Sequence, residues 1–355
     1  MEEENIKPII GITIGDFNGI GPEVVMKALA NNQLNGFCTP VVYGSTKVIA
    51  RYKQLLELND WQYFSIQRPD QANPKQINLI NCVPDAHEIE PGKVTADAGK
   101  AALLCLQRAT KDLKEGKINA LVTAPINKHN IQSETFKFPG HTEYLAAEFE
   151  AKDVLMFMVS ENLKIGVMTG HVPLQKVKEN ISKEKIVKKL TLMIDALKND
   201  FGIARPKIAV LGLNPHAGEN GLIGNEDLEI IKPALDELKV KGNLVFGPFP
   251  TDGFFGTANH RQFDAILGMY HDQGLTPFKM LAFDEGVNFT AGLSAVRTSP
   301  DHGTAYDIAG KNEASSSSML HAIFTAIDIY NLRTGNATLK KNALKKKFHL
   351  ERERN

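Results

Sequence analysis

Short, β-branched apolar runs alternate with longer stretches of helical period along most of this chain, the pattern of a mostly parallel sheet covered by helices. The apolar runs predict strands at Ile9–Ile14, Ala120–Thr123, Val154–Val159, Ile165–Met168, Ile208–Leu213 and Ala265–Met269. Pro22, followed by Glu23, opens a first helix: proline is tolerated where the amide needs no partner, and an acidic group suits the N-terminal dipole. Further helices are predicted at Thr95–Glu115, stopped by Gly116, and at Lys183–Asn199, Asp227–Lys239 and Glu313–Ile329. The short run Ser315–Ser318 falls at the start of the last of these. The absence of a fixed-period repeat argues against a solenoid.

Composition narrows the picture. The 355 residues suffice for two packed domains, and 43% hydrophobic with 23% charged residues is an ordinary globular balance. Lys plus Arg and Asp plus Glu each total 41, so no net field points to nucleic acid or an anionic membrane, and acidic ligands must be met by local sites. Cys38, Cys82 and Cys105 form no pairing motif, which suits a reducing compartment. An acidic start at Glu2–Glu4 and the lack of an apolar run approaching ~20 residues make the cytoplasm the expected location. From Leu339 onward Lys340, Lys341, Lys345, Lys346, Lys347, Arg352 and Arg354 crowd together, either as an anion-binding tail or as a solvated terminal helix or frayed end.

Chemistry concentrates at three histidines. His171, His216 and His271 each follow a predicted strand, and in open α/β sheets ligands bind beyond the carboxyl ends of the strands. Neighbouring parallel strands would bring such distant positions together. Three neutral imidazoles suit a catalytic divalent ion such as zinc, magnesium or cobalt, leaving open positions for substrate. Asp272, beside His271, is placed to hydrogen-bond a ligand ring or to move protons, and Asp252 is a second proton-carrier candidate. The bland alternative for each histidine is an ordinary polar loop residue. His87, His129, His260, His321 and His349 show no comparable placement.

Anion-recognising features surround this pattern. Gly15–Gly21 has the look of a dinucleotide loop without the G-x-G-x-x-G spacing, so a tight strand-to-helix turn is the better reading. In Pro139-Gly140-His141-Thr142-Glu143, Thr142 is a predicted N-cap, and the exposed amides there serve either the cap alone or a phosphate or carboxylate. Lys279, Asn288 and Arg297, in a glycine-broken stretch, fit recognition of a doubly anionic molecule. Asp301–Lys311 resembles the segment that helps hold the adenosine half of NAD or NADP in β-decarboxylating dehydrogenases such as isocitrate and isopropylmalate dehydrogenases. That resemblance implies His302, Gly303, Thr304 and Asp307 as cofactor contacts.

Taken together, the ordered motifs resemble the 4-hydroxythreonine-4-phosphate dehydrogenase family of pyridoxal 5′-phosphate biosynthesis. They are G-I-G-P-E at Gly19–Glu23, T-A-P-I-N-K at Thr123–Lys128, P-G-H-T-E-Y-L at Pro139–Leu145 and T-G-H-V-P-L at Thr169–Leu174. N-P-H-A-G-E at Asn214–Glu219, Y-H-D-Q-G at Tyr270–Gly274 and R-T-S-P-D-H-G-T-A at Arg297–Ala305 complete the series. Gly15-Asp16-Phe17-Asn18 departs from the usual G-D-P-A-G-like loop. The resemblance implies two α/β/α domains of isopropylmalate dehydrogenase-like fold with the active site in the cleft between them. Residues 1–140 plus 290–335 would form the cofactor domain, 141–289 a metal and dimerisation domain, and 336–355 the basic tail. It implies His171, His216 and His271 as metal ligands, His141, Thr142, Lys279, Asn288 and Arg297 as substrate contacts, and Lys279 as a catalytic group. It further implies a homodimer whose two chains share metal ligands, and NAD as cofactor with NADP as the alternative. The implied reaction oxidises 4-phosphohydroxy-L-threonine at C3 and decarboxylates it to 3-amino-2-oxopropyl phosphate. A dehydrogenase of phosphoerythronate or phosphothreonate is the alternative within the class. A non-catalytic protein that binds metal and phosphorylated metabolites is the alternative outside it.

Overall fold

The computed structural model describes residues 7–30, 32–83 and 88–342; His87, His349 and the tail from residue 343 onward lie outside the described residues. Among the described residues, twelve strands form one continuous sheet. They are β1 (Ile9–Thr13), β2 (Thr39–Gly44), β3 (Phe64–Ile66), β4 (Asn78–Asn81), β5 (Ala120–Thr123) and β6 (Leu155–Val159), then β7 (Lys164–Val167), β8 (Lys207–Leu211), β9 (Leu244–Phe249), β10 (Ala265–Gly268), β11 (Val287–Ala291) and β12 (Val296–Pro300). Their order is β3-β4-β2-β1-β5-β12-β11-β6-β7-β10-β8-β9. The pairings are parallel except at the centre, where β11 and β6 run antiparallel to their neighbours. The protein is thus mixed α/β with a large, mostly parallel sheet. Two all-parallel blocks meet through an antiparallel seam.

Among the described residues, nine α-helices accompany the sheet: α1 (Gly21–Leu29), α2 (Thr46–Leu55), α3 (Ala96–Lys114), α4 (His141–Glu148), α5 (Lys183–Asn199), α6 (Lys232–Val240), α7 (Thr251–Gly256), α8 (His271–Ala282) and α9 (Ser317–Asn342). Local chemistry fixes their starts. The Thr95 hydroxyl accepts from the Ala98 amide and the Ser182 hydroxyl from the Lys185 amide, so α3 and α5 begin within a residue of the expected points. At α4 the expectation of a Thr142 cap is corrected: the helix begins at His141, Gly140 is the extended residue before it, and no side chain caps it.

Side-chain alternation assigns the two faces at the seam. Met158, Asn288 and Ser299 are register partners across β6, β11 and β12 and point to one face, with Met156 and Arg297 two residues along. Helix α8 lies on this same face. Gly274 lets it close on β7, since a Cβ there would come within 2.8 Å of Val167 Cγ1. On the opposite face α5 packs Met193 against Gly166, and the Thr298 hydroxyl donates to the Ala322 carbonyl of α9. The seam is therefore covered behind and open in front.

Candidate active site

In front of the seam, between α4 and α8, lies a cavity of about 760 Å³. It takes in the residues just beyond the carboxyl ends of β7 and β10 and spreads from there over the face of the sheet, where the antiparallel strands present polar side chains. Met156, Met158, Asn288, Arg297 and Ser299 form its floor, with Thr123 beside them.

One end of the cavity is cationic. Arg297 is buried; its Nε and Nη2 donate to the Thr123 hydroxyl and its Nη1 to that of Thr290, and no carboxylate pairs with it among the described residues. Burial lowers its pKa to about 10, against a small opposing pull from Glu143. A buried guanidinium held only by neutral hydroxyls is costly until an anion joins it. His141, at the start of α4, has an Nε2 atom buried without a partner. Burial, then Arg297 and Lys128, pushes its pKa well below the ordinary histidine value, so it stands neutral. A cluster of Phe136, Phe138 and Tyr144, with ring centroids 5.3–5.6 Å apart, anchors the turn that carries it. Thr142, Lys279 and Asn288 line the same space, and Asn288 Oδ1 is likewise buried and unpartnered. Lys279 Nζ lies 3.6 Å from Asp301 Oδ1, whose pKa burial raises.

The other end carries imidazoles. Strands β7, β10 and β8 are adjacent and parallel, so the loops bearing His171, His271 and His216 leave the same edge of the sheet. The His171 and His271 rings meet, with centroids 5.5 Å apart, and both line the cavity. Asp272 Oδ1 lies 2.7 Å from His271 Nδ1, which fixes the ring and leaves Nε2 for a ligand. Gln273 ties the arms together: its Oε1 accepts from the Met269 amide and its Nε2 donates to the Gly212 carbonyl and the Thr251 hydroxyl.

His216 does not join this pair. It is exposed on a separate turn, and no group of three potential metal ligands forms among the described residues of one chain. Within one chain the three histidines therefore do not converge. Adjacent strand ends bring the loops together, but the direction of the His216 loop carries its ring away. Residues 216–220 all have left-handed backbone angles, with φ of 54° at His216, 51° at Ala217, 77° at Gly218, 43° at Glu219 and 55° at Asn220. Four of the five are not glycine, and each such residue costs about 1–2 kcal/mol. The donor set fits a borderline divalent ion as far as it goes: two converging imidazoles, one oriented by a carboxylate.

The remaining predicted residues divide. His302 and Gly303 line the cavity; His302 Nε2 is buried without a partner, and a Cβ on Gly303 would meet nothing within 4 Å. With Nδ1 donating to the Gly303 carbonyl, the unpartnered Nε2 is an acceptor, and an acceptor beside open space fits a cofactor edge. Thr304 instead packs its carbonyl against Gly19 and accepts from the Ile20 amide, while Asp307 is exposed and does not line the cavity. Asp252 is exposed on α7, also outside it. The glycines of the first loop are occupied by the protein itself. A Cβ at Gly15 would lie 2.2 Å from the Pro125 carbonyl oxygen and one at Gly21 2.2 Å from that of Ile14, the tight-turn reading.

Sequence reasoning missed several lining residues: Lys128, Glu143, Lys189 and Asp301. Three of these sit inside the motifs quoted above. Lys189, whose amine donates to the Val154 carbonyl and whose pKa burial lowers, had no signal beyond its place in a helical run.

Residues 36–326 match the family model described as pyridoxal phosphate biosynthetic protein PdxA. The chain belongs to this family. Among PdxA relatives, a 4-hydroxythreonine-4-phosphate dehydrogenase of Bacteroides thetaiotaomicron is 46% identical over 354 residues, covering 99% of this chain and 96% of that protein. A D-threonate 4-phosphate dehydrogenase of Pectobacterium atrosepticum is 39% identical, covering 90% and 99%. The crystal structure of 4-hydroxythreonine-4-phosphate dehydrogenase from Klebsiella pneumoniae superposes with a TM-score of 0.79 at 39% identity, over 92% of this chain and 99% of that one. No helix among the described residues is long and apolar enough to cross a membrane.

Proposed function

We propose that this PdxA-family chain is a metal-dependent, NAD-linked dehydrogenase that oxidises 4-phosphohydroxy-L-threonine at C3 and releases carbon dioxide, giving 3-amino-2-oxopropyl phosphate. The observation that carries this reading is the two-ended cavity: unpaired buried Arg297 with His141 and Asn288 at one end, and the His171–His271 pair at the other. A molecule with anionic groups at its ends and an alcohol between them matches that layout. The dehydrogenase names of the relatives support the nicotinamide cofactor.

A divalent ion held by the imidazoles would supply Lewis acidity at the alcohol, and the nicotinamide would take the hydride. The chain's own residues do the rest. Arg297, Asn288, Thr142 and the neutral His141 hold the phosphate and carboxylate ends and so fix which carbon faces the cofactor. Lys279, kept in place by Asp301, is the catalytic ammonium, and Asp272 holds the His271 tautomer. His302 and Gly303 border the cofactor, in the half of the protein formed by residues 1–140 and 290–335; residues 141–289 carry the imidazoles.

His216 fits this reading as a ligand offered to a second copy. Exposed apolar side chains near both histidine loops support such an interface: Val172 and Leu174 beyond His171, Leu222 and Ile223 beyond His216, and Met280 and Phe283 at the end of α8. We take the assembly to be a homodimer and the compartment to be the cytoplasm.

Metal-loaded protein is to be assayed for reduced nicotinamide with 4-phosphohydroxy-L-threonine, D-threonate 4-phosphate and 4-phosphoerythronate in parallel. Turnover of the amino acid first, abolished by chelation and restored by zinc, cobalt or magnesium, is the expected result. Turnover of only the sugar acids would move the protein to the D-threonate branch, which the Pectobacterium relative keeps open. Full activity after exhaustive metal removal would overturn the metal role.

A further inference from the structure

The turn that carries His216 is built around one carboxylate. Asp227 is 2% exposed, and both of its oxygens are used. Oδ1 accepts from the Leu213 amide at 2.8 Å; Oδ2 accepts from the Asn214 amide at 3.1 Å and from Asn214 Nδ2 at 3.0 Å. No cation pairs with it among the described residues. The chain wraps closely around the group. A Cβ at Gly212 would lie 2.8 Å from Oδ1, so the chain closes on Asp227 there because the residue is glycine; one at Gly218, where φ is 77°, would lie 2.8 Å from the Gly224 carbonyl oxygen and 3.3 Å from Oδ2. A neighbouring brace comes from Glu226, which accepts from Asn214 Nδ2 at 2.9 Å and pairs with Lys178.

We propose that Asp227 is the positioning residue for His216: its buried carboxylate clamps the base of a left-handed turn that would otherwise relax, and so aims the imidazole away from its own cavity and toward a second copy. The inference rests on the proposed role of His216 as a metal ligand in trans. Its physical core is that five consecutive left-handed residues, four of them bearing a Cβ, do not persist unless the surroundings over-determine them. The hydrogen bonds to Asp227 fix Leu213 and Asn214, the two residues from which the turn departs. Asparagine at 227 keeps the shape but offers an NH2 group where an acceptor is needed, so one arm of the clamp is lost.

The test uses the full chain titrated with cobalt(II), reading affinity and the visible spectrum of the bound ion. His216→Ala and Asp227→Asn are each expected to weaken cobalt binding at least tenfold and to change the spectrum in the same direction. Ala217→Gly, which relaxes the left-handed backbone, is expected to recover at least threefold when added to Asp227→Asn. Asn220→Val, which strains the turn without touching the carboxylate, is expected to weaken binding as well, and it serves if Asp227→Asn does not fold. If His216→Ala weakens cobalt binding while Asp227→Asn and Asn220→Val leave it at the wild-type value, the clamp is refuted and the role of His216 stands. If His216→Ala itself changes nothing, the trans-ligand reading fails and takes the clamp with it.

Discussion

The two ends of the cavity differ in how much of them one chain completes. The cationic end is assembled from α4, β11, β12 and α8 of a single chain, which line one cavity and leave His141 Nε2 and Asn288 Oδ1 without partners. The imidazole end brings two rings together and sends the third away on a left-handed turn. Strand order decides which loops are neighbours, and local backbone conformation decides where a side chain on such a loop points. The first is a property of the sheet; the second has to be built residue by residue.

The largest effect separating the two ends is expected at Arg297. Replacing it with Met should lower kcat/KM about a thousandfold, as for loss of a buried charge-assisted contact to an anion, while leaving metal affinity unchanged. Equilibrium dialysis with zinc beside steady-state kinetics checks both halves; a parallel fall in metal affinity would show that the ends are not separate. At the imidazole end, Asp272→Asn should free the His271 ring and weaken metal binding about 10–100-fold, with the protein still folded. Unchanged affinity would mean that the 2.7 Å contact does not orient a ligand.

The smallest effect is on stability and concerns His302, between the two ends. Burial and then Lys279 hold its pKa below the ordinary 6.5, partly offset by the Gly303 carbonyl. The unfolded chain therefore takes up the proton first. The stability contribution is fully present above the ordinary histidine range and is lost as pH falls through that range toward the folded value. In metal-free protein, His302→Asn should reduce the drop in melting temperature between about pH 7.5 and about pH 5.5 by a few degrees. An identical drop in both proteins would place the acid sensitivity elsewhere, first at His141, which burial shifts the same way.

Much of this was legible in the chain. The runs ending before His171 and His271 gave adjacent parallel strands because apolar β-branched stretches pair in the only way that buries both faces. The strands β11 and β12, V-N-F-T-A and V-R-T-S-P, were missed because neither is an apolar run: Asn288 and Thr290 interrupt the first, and Arg297, Thr298 and Ser299 are consecutive in the second. Asn288, Arg297 and Ser299 are the residues that face the cavity. The direction of His216 was not legible: Asp227 lies eleven residues beyond it, and only the glycines at 218, 221 and 224 hint at left-handed backbone. The cationic tail had no outcome, since residues 343–355 lie outside the described residues.

The central claim is that a working metal centre takes His171 and His271 from one chain and His216 from another, and mixing two inactive variants tests it most directly. His271→Ala and His216→Ala proteins, each without turnover alone, should regain about a quarter of wild-type activity when unfolded and refolded together, because half the dimers are mixed and each mixed dimer has one intact site. No recovery in mixtures that demonstrably contain the mixed dimer would contradict the shared centre.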